Sequence, residues 1–284
     1  MPLRARIAVT VAVSLLAAGC VHLVPPEGAA PLRYRDAVFG GVTKTSDVVY
    51  GTALNQQGQP VTLLMDVYAP TGDSVTARPA IVWVHGGSFC CGSKTSPEIV
   101  DQANVFAGKG YVSVSISYRL QPGGCSAGGP TAACIQAIRD ALDDAQAAVA
   151  FLRANSATYG IDVDRIAIAG TSAGAITALN VGYSNEESAT SAVRAAVSLS
   201  GARIFGTPNA GDAPALLFHG TNDVVVPYQW AVNTVDAAKA AGLTALLTSW
   251  SGEGHVPYLA HRDEIHTQTR NFLYHIMDLK HAAQ

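Results

Sequence analysis

The sequence predicts an α/β domain built on a mixed, mostly parallel sheet of about eight strands with helices on both faces. Strand-like and helix-like segments alternate from Ser46 onward, as they do in chains made of repeated β–α units. Several strand-like segments are continuously apolar, for example residues 81–84 (Ile-Val-Trp-Val). Strands buried on both faces of a parallel sheet have this composition. The first two strands follow each other without a helix, so the sheet is expected to be mixed.

The individual elements follow from hydrophobic periodicity and from the turn residues between them. Strands are expected at residues 47–53, 61–68, 80–85, 111–118, 165–169, 194–200, 215–219 and 244–250. The longest helix is expected over residues 132–155, where apolar residues recur every three or four positions (Ile138, Leu142, Ala145, Val149 and Leu152). Shorter helices are expected at residues 98–108, 173–183, 228–241 and 261–279.

Composition narrows the class of protein. The chain has 284 residues, of which 14% are charged, and its formal net charge is −3. Such a low charged fraction excludes a disordered or coiled-coil protein. No block of Lys and Arg is present, so nucleic acid is not an expected partner, because neutralising phosphates requires clustered cations.

The first twenty residues predict export. Arg4 and Arg6 precede a run of about a dozen apolar residues that is too short to span ~30 Å of hydrocarbon but fits a signal peptide. The run ends in Ala-Ala-Gly-Cys20, which resembles a bacterial lipobox and implies that Cys20 is acylated and anchors the chain to the cell envelope. The alternative is ordinary signal cleavage, with Cys20 an incidental thiol. Residues 21–45 are expected to form a tether, and residues 46–284 the folded domain.

Four cysteines remain for an oxidising compartment: Cys90, Cys91, Cys125 and Cys134. The Cα atoms of adjacent residues lie ~3.8 Å apart, closer than relaxed disulfide geometry allows. Two arrangements stay open. Either Cys90 and Cys91 each pair with one of the other two cysteines, or a single local bridge joins Cys125 and Cys134. No CxxC motif or partnered His pair is present, so no metal site is expected.

The strongest chemical signal is Gly-Thr-Ser172-Ala173-Gly, which lies between a predicted strand and a predicted helix. In this context G-x-S-x-G indicates a sharp turn that exposes the serine hydroxyl at the start of a helix. The backbone N–H groups there are available to a developing oxyanion. A second group of donors is expected from Gly86, Gly87 and Ser88, which follow His85 at the end of another strand.

Two further residues complete a hydrolytic arrangement. Asp223 and His255 each follow a predicted strand, so both are expected at the carboxyl edge of the sheet with Ser172. The chain order Ser, Asp, His is the order found in one class of serine hydrolases.

Residues 137–174, together with residues 64–70 and His85-Gly86-Gly87, resemble α/β-hydrolase carboxylesterases of the esterase and lipase type. The resemblance implies the α/β-hydrolase fold, with Ser172 as nucleophile, His255 as base and Asp223 orienting it. It also implies an oxyanion hole from Ala173 and the Gly86–Ser88 element, and no cofactor. Ser88 and Thr171 depart from the hormone-sensitive-lipase pattern, which favours a feruloyl-esterase-like or general carboxylesterase branch.

Only residues 202–214 separate two consecutive strands where many relatives carry a helical cap, so no large cap domain is expected. The cleft should be open between the loops at residues 89–96 and 121–131, which suits short-chain or bulky carrier-bound esters. The segment His-Gly-Thr-Asn-Asp223 also resembles dienelactone hydrolases and prolyl-oligopeptidase-like peptidases, so lactones and peptides are alternative substrates. A non-catalytic surface lipoprotein is a further alternative.

Overall fold

The structure is a computed structural model that describes residues 23–125, 131–185 and 188–282. Its eight strands are β1 (Val42–Leu54), β2 (Pro60–Pro70), β3 (Arg78–Val84), β4 (Val112–Ile116), β5 (Ile161–Thr171), β6 (Ala195–Leu199), β7 (Ala215–Gly220) and β8 (Ala245–Trp250). The helices in the described ranges are α1 (Pro97–Ala107), α2 (Ala132–Ala154), α3 (Ser156–Tyr159), α4 (Ala173–Gly182), α5 (Tyr228–Ala240), α6 (Tyr258–Ile276) and α7 (Leu279–Ala282).

The eight strands form one sheet in the order β1-β2-β4-β3-β5-β6-β7-β8. β2 pairs antiparallel with β1 and with β4, and every other pair is parallel. The predicted mixed, mostly parallel sheet of eight strands is therefore confirmed. β3, β5, β7 and β8 all end at one edge of the sheet, which brings the loops that follow them together.

Helices cover both faces of the sheet because its central strands are apolar on both sides. In β3, Ala80, Val82 and Val84 pack in one core with α2, α4 and α5. Ile81 and Trp83 point to the opposite core, which contains α1 and α6. Successive side chains of a strand alternate between the two faces, so a continuous apolar run fills both cores.

Between β6 and β7, residues 200–214 contain no helix or strand. The expectation that no large cap domain is inserted there is confirmed. No helix in the described part of the chain is long and apolar enough to cross a membrane.

The N-terminal part of the domain differs from the prediction. β1 begins at Val42, five residues before the predicted strand, and Val42 pairs with Pro70 of β2. Most residues of β1 are exposed, because β1 is an edge strand. Its first residues therefore lack the apolar pattern from which the start of the strand was predicted. Residues 23–41 do not form the expected tether, because Tyr34 is fully buried against Tyr111. The backbone N–H of Tyr34 also donates to Lys109 O at 2.8 Å.

An ion pair buried below the loops fixes the chain after β4. The backbone N–H of Arg119 donates to Asp144 Oδ2 at 2.7 Å, and its Nε donates to Oδ1 at 2.8 Å. Asp144 on α2 is 1% exposed. Burial raises the pKa of Asp144 more than the Arg119 guanidinium lowers it. The pair therefore fixes position more than it adds stability.

Replacing only one partner leaves the other charge buried, so Asp144→Ala is expected to lower the free energy of unfolding by about 3–5 kcal/mol. Urea unfolding followed by circular dichroism measures the change. The matched control is Asp143→Ala, because Asp143 is the neighbouring residue of α2 and is exposed. Equal unfolding midpoints for the two variants would contradict this role of the pair.

Candidate active site

Ser172 lies on a strained turn between β5 and α4. Its φ of 54° and ψ of −117° fall outside the regions that a serine ordinarily adopts. The flanking glycines are required by packing. A Cβ on Gly174 would lie 2.0 Å from Val84 O, and one on Gly170 would lie 2.2 Å from Gly174 O. The G-x-S-x-G pattern thus reflects how closely α4 approaches the ends of β3 and β5.

His255 joins Ser172 to Asp223. His255 Nε2 lies 2.8 Å from Ser172 Oγ, and His255 Nδ1 lies 2.7 Å from Asp223 Oδ2. A carboxylate can only accept, so Nδ1–H donates to Asp223 and leaves Nε2 as the acceptor for the serine hydroxyl. The structure therefore brings together the three residues that the sequence singled out, from the loops after β5, β7 and β8.

The Asp223 carboxylate is buried and fully hydrogen-bonded. Its Oδ1 accepts from the backbone N–H groups of Val225 and Val226 at 2.9 and 3.0 Å. Its Oδ2 lies 3.1 Å from His219 Nε2. Burial raises the pKa of Asp223, but the hydrogen bonds from His219, His255 and Val226 outweigh it and hold the pKa well below its ordinary value. The carboxylate stays ionised and keeps the Nδ1–H tautomer of His255.

The Gly86–Ser88 element lies directly against Ser172. A Cβ on Gly86 would lie 3.2 Å from Ser172 Cβ, so only glycine fits without displacement. Gly87 has a φ of 117°, a conformation that side chains rarely permit. Within the described ranges, the N–H groups of Gly87, Ser88 and Ala173 donate to no protein acceptor. Unpartnered donors beside a serine hydroxyl are what an oxyanion requires.

Comparison with known proteins agrees with the fold described above. The BD-FAE family model matches residues 65–202, and a model described as TAP-like protein matches residues 186–275. Esterase 2 of Thermogutta terrifontis superposes with a TM-score of 0.67 over 86% of this chain and 98% of that one, at 24% identity. The likeness to this solved structure establishes the fold. The chain has the α/β-hydrolase fold.

Curated relatives of the chain include longer lipases and esterases. Lipase 2 of Geotrichum candidum is 29% identical over 164 residues, which cover 57% of this chain and 26% of that protein. Phenmedipham hydrolase of Pseudarthrobacter oxydans is 34% identical over 179 residues, covering 55% and 34%. The chain thus spans about a quarter to a third of the length of these relatives.

Sequence reasoning missed several partners that position the candidate active site. His219 is buried and contacts Asp223, although the sequence indicated only a strand-end residue. Its position four residues before Asp223 is a signal that could have suggested the contact. Val256, next to His255, donates its N–H to Ser200 Oγ at 3.0 Å, and both residues have positive φ. This hydrogen bond joins the loop after β8 to the end of β6.

His85 supports the Gly86–Ser88 element from below. Its ring stacks on Tyr118 at 4.3 Å, and Tyr118 Oη donates to His85 O at 3.1 Å. Burial lowers the pKa of His85 to about 4, so the ring is neutral at neutral pH. Its Nδ1–H donates to Gly86 O at 2.6 Å, which fixes the peptide beside Ser172.

The structure pairs Cys125 with Cys134 and leaves Cys90 and Cys91 as free thiols. The local bridge is thus the arrangement present, and pairing of Cys90 and Cys91 with the other two is wrong. The bridge ties residue 125 to the first turn of α2, with a Cα–Cα distance of 4.7 Å. The two loops beside the site meet instead through backbone hydrogen bonds, from Cys125 N to Ser88 O and from Gln121 N to Phe89 O.

Removing this bridge with Cys125→Ser and Cys134→Ser together is expected to lower the free energy of unfolding by about 2–3 kcal/mol, because a closed loop of about ten residues restricts the unfolded chain. Urea unfolding without reductant measures it. Cys91→Ser is the matched control, since its side chain is exposed and unbridged. An unchanged midpoint for the double variant would contradict the expectation.

Proposed function

We propose that the chain is a serine hydrolase that cleaves carboxylic esters through an acyl-enzyme on Ser172. The observation that carries the proposal is the hydrogen-bonded chain from Asp223 through His255 to Ser172, beside unpartnered backbone N–H groups. Such a chain makes a serine hydroxyl nucleophilic, and the donors stabilise the charge that its attack creates.

In the proposed mechanism His255 Nε2 accepts the hydroxyl proton while Ser172 Oγ attacks the ester carbonyl. The ionised Asp223 stabilises the imidazolium through Nδ1–H. The tetrahedral oxyanion accepts from the N–H of Ala173 and from those of Gly87 and Ser88, and each such donor lowers the barrier by about 3–4 kcal/mol. His255 then protonates the leaving alcohol, and a water activated by the same nitrogen releases the acid.

The names of similar proteins support this assignment. They include lipases, a para-nitrobenzyl esterase of Bacillus subtilis and phenmedipham hydrolase. Esterase 2 of Thermogutta terrifontis has been solved phosphorylated by paraoxon and with butyrate or propionate bound. Short acids in that protein, together with the lack of a cap between β6 and β7 here, favour esters with short acyl chains or bulky carriers.

The test is a substrate series on the purified domain. p-Nitrophenyl acetate and butyrate should be hydrolysed with higher kcat/KM than the laurate and palmitate esters. Peptide anilides and a dienelactone should be turned over far more slowly. Preference for an anilide or a lactone would favour the peptidase or lactonase alternative. Absence of all turnover, with no labelling by a fluorophosphonate, would favour a binding role.

Export and lipid anchoring at Cys20 are part of the proposal. Residues 1–22 lie outside the described residues, so this part depends on the signal-like sequence alone. A cell-envelope anchor would hold the catalytic domain at a membrane surface while its substrates diffuse to it. Metabolic labelling with palmitate should mark the full chain but not the Cys20→Ser variant. An unlabelled full chain would favour ordinary signal cleavage.

A further inference from the structure

Two free thiols lie beside the candidate oxyanion hole. The Sγ atoms of Cys90 and Cys91 are 2.8 Å apart, so both side chains are on the same side of the backbone. Cys91 is exposed and Cys90 is half-buried. Since Cys125 and Cys134 are bonded to each other, these two thiols have only each other as a partner among the described cysteines.

The backbone just before the two cysteines is strained, and hydrogen bonds from the loop at residues 121–125 hold it in place. Ser88 and Phe89 have φ values of 50° and 61°, a left-handed conformation that neither residue favours. Cys125 N donates to Ser88 O at 2.8 Å, and Gln121 N donates to Phe89 O at 2.9 Å. The left-handed conformation of residues 88 and 89 is therefore held by hydrogen bonds from Gln121 and Cys125. A covalent change at the adjacent cysteines is expected to alter it.

The two cysteines also orient one of the oxyanion donors. Gly87 O accepts from the N–H of Cys90 and of Cys91, both at 3.0 Å, and from Cys90 Sγ at 3.3 Å. Gly87 C=O and Ser88 N–H belong to one planar peptide unit and point in opposite directions. Hydrogen bonds that hold the carbonyl toward the cysteines therefore hold the Ser88 N–H on the opposite side of the peptide.

We propose that Cys90 and Cys91 are a modification site, at which a small-molecule disulfide oxidises the thiol pair to a reversible vicinal disulfide, and that this oxidation slows ester turnover by tilting the Gly87–Ser88 peptide. The second half of the proposal rests on the proposed function. The first half rests only on the geometry of the thiols.

The exchange with glutathione disulfide balances in two steps. The Cys91 thiolate attacks one glutathione sulfur, forms a mixed disulfide and releases the first glutathione thiolate. The Cys90 sulfur then attacks Cys91 Sγ, closes the vicinal bond and releases the second thiolate. The two cysteine protons end on the two glutathiones, so the pair loses two electrons and glutathione disulfide gains them.

The order of attack follows from exposure and charge. The hydrogen bond to Cys91, together with partial burial, raises the pKa of the Cys90 thiol, so Cys90 stays protonated while exposed Cys91 reacts. The short Sγ–Sγ distance lets Cys90 resolve the mixed disulfide before a second glutathione does. Because adjacent Cα atoms lie closer than the ~4.4 Å lower limit of ordinary disulfides, the bridge is strained and mild reductants open it.

The experiment treats the full domain with glutathione disulfide, alkylates the remaining thiols and maps the peptides without reduction. The peptide with Cys90 and Cys91 should lose two hydrogens and carry no alkyl group. Over the same period kcat for p-nitrophenyl acetate should fall about tenfold or more with KM little changed, because one oxyanion donor is worth about 10²–10³ in kcat. Dithiothreitol should restore both the thiols and kcat.

Cys91→Ser is the matched control. Cys91 contacts Gly87 O only through its backbone N–H, which serine keeps, and its side chain is exposed. The variant should therefore have the turnover of the reduced wild type and should not respond to glutathione disulfide. A lasting glutathione adduct or a bridge between two chains would overturn the modification site. A vicinal bridge that leaves kcat unchanged would overturn the link to turnover. If the reduced wild type cleaves no ester, the proposed function and that link fail, while the peptide map still decides whether the bridge forms.

Discussion

Ser172→Ala should lower kcat for p-nitrophenyl acetate by about a millionfold, the loss seen when the nucleophile of a serine-hydrolase triad is removed. The proposed covalent step needs the hydroxyl that lies 2.8 Å from His255 Nε2. A fluorophosphonate should label the wild type and leave the variant unlabelled, which intact-protein mass spectrometry measures directly. The remaining turnover should come from the backbone donors and from substrate binding.

Ser74→Ala is the matched control for this substitution, because Ser74 is exposed on the loop between β2 and β3. It should leave kcat and labelling unchanged. If the Ser172 variant turned over ester at more than a tenth of the wild-type rate, or were still labelled, Ser172 would not be the nucleophile.

Asp223→Asn should lower kcat by about 10⁴ while leaving the fold intact. An amide at this position can present N–H to His255 Nδ1, which favours the tautomer with the proton on Nε2. That nitrogen then cannot accept the Ser172 proton. Glu253→Gln is the control, since Glu253 lies two residues from His255 but contacts His261, at 3.5 Å, and not His255. A comparable loss in both variants would mean that Asp223 is not the orienting carboxylate.

The same residue predicts a pH dependence of stability. The pKa of Asp223 is below its usual value in the folded chain, so its contribution is fully present above the unfolded pKa of about 3.9 and is lost as the pH falls below it. The wild type should be more stable than Asp223→Asn near pH 7, and the difference should narrow below about pH 4. Urea midpoints measured from pH 7 to pH 3 test this, and a constant difference would contradict it.

The parts of the fold that could be predicted are those fixed by local pattern. The continuous apolar run of β3 predicted a strand buried on both faces, and Trp83 is 1% exposed. The G-x-S-x-G motif is needed because a side chain at Gly174 would collide with β3. The motif could therefore predict that Ser172 lies between a strand and a helix.

The parts that could not be predicted depend on contacts between distant residues. Asp144 has the helical spacing of a surface residue, and only the approach of Arg119 makes its burial tolerable. Tyr34 lies in a Pro- and Gly-rich stretch, and its burial against Tyr111 depends on the position of α1 and β4. Periodicity along the chain contains no information about such partners.

The loop bearing His255 follows β8, which among the described strands pairs only with β7 and forms one border of the sheet. Ser172 and His255 are 83 residues apart in the chain, so their hydrogen bond closes only after that outermost strand has joined. In a chain whose β8 has not joined the sheet, Ser172 therefore lacks the hydrogen bond to His255. The time at which ester cleavage recovers during refolding would then report when β8 joins. Any ligand or mutation that loosens this border is expected to abolish the proposed ester cleavage before the rest of the protein unfolds.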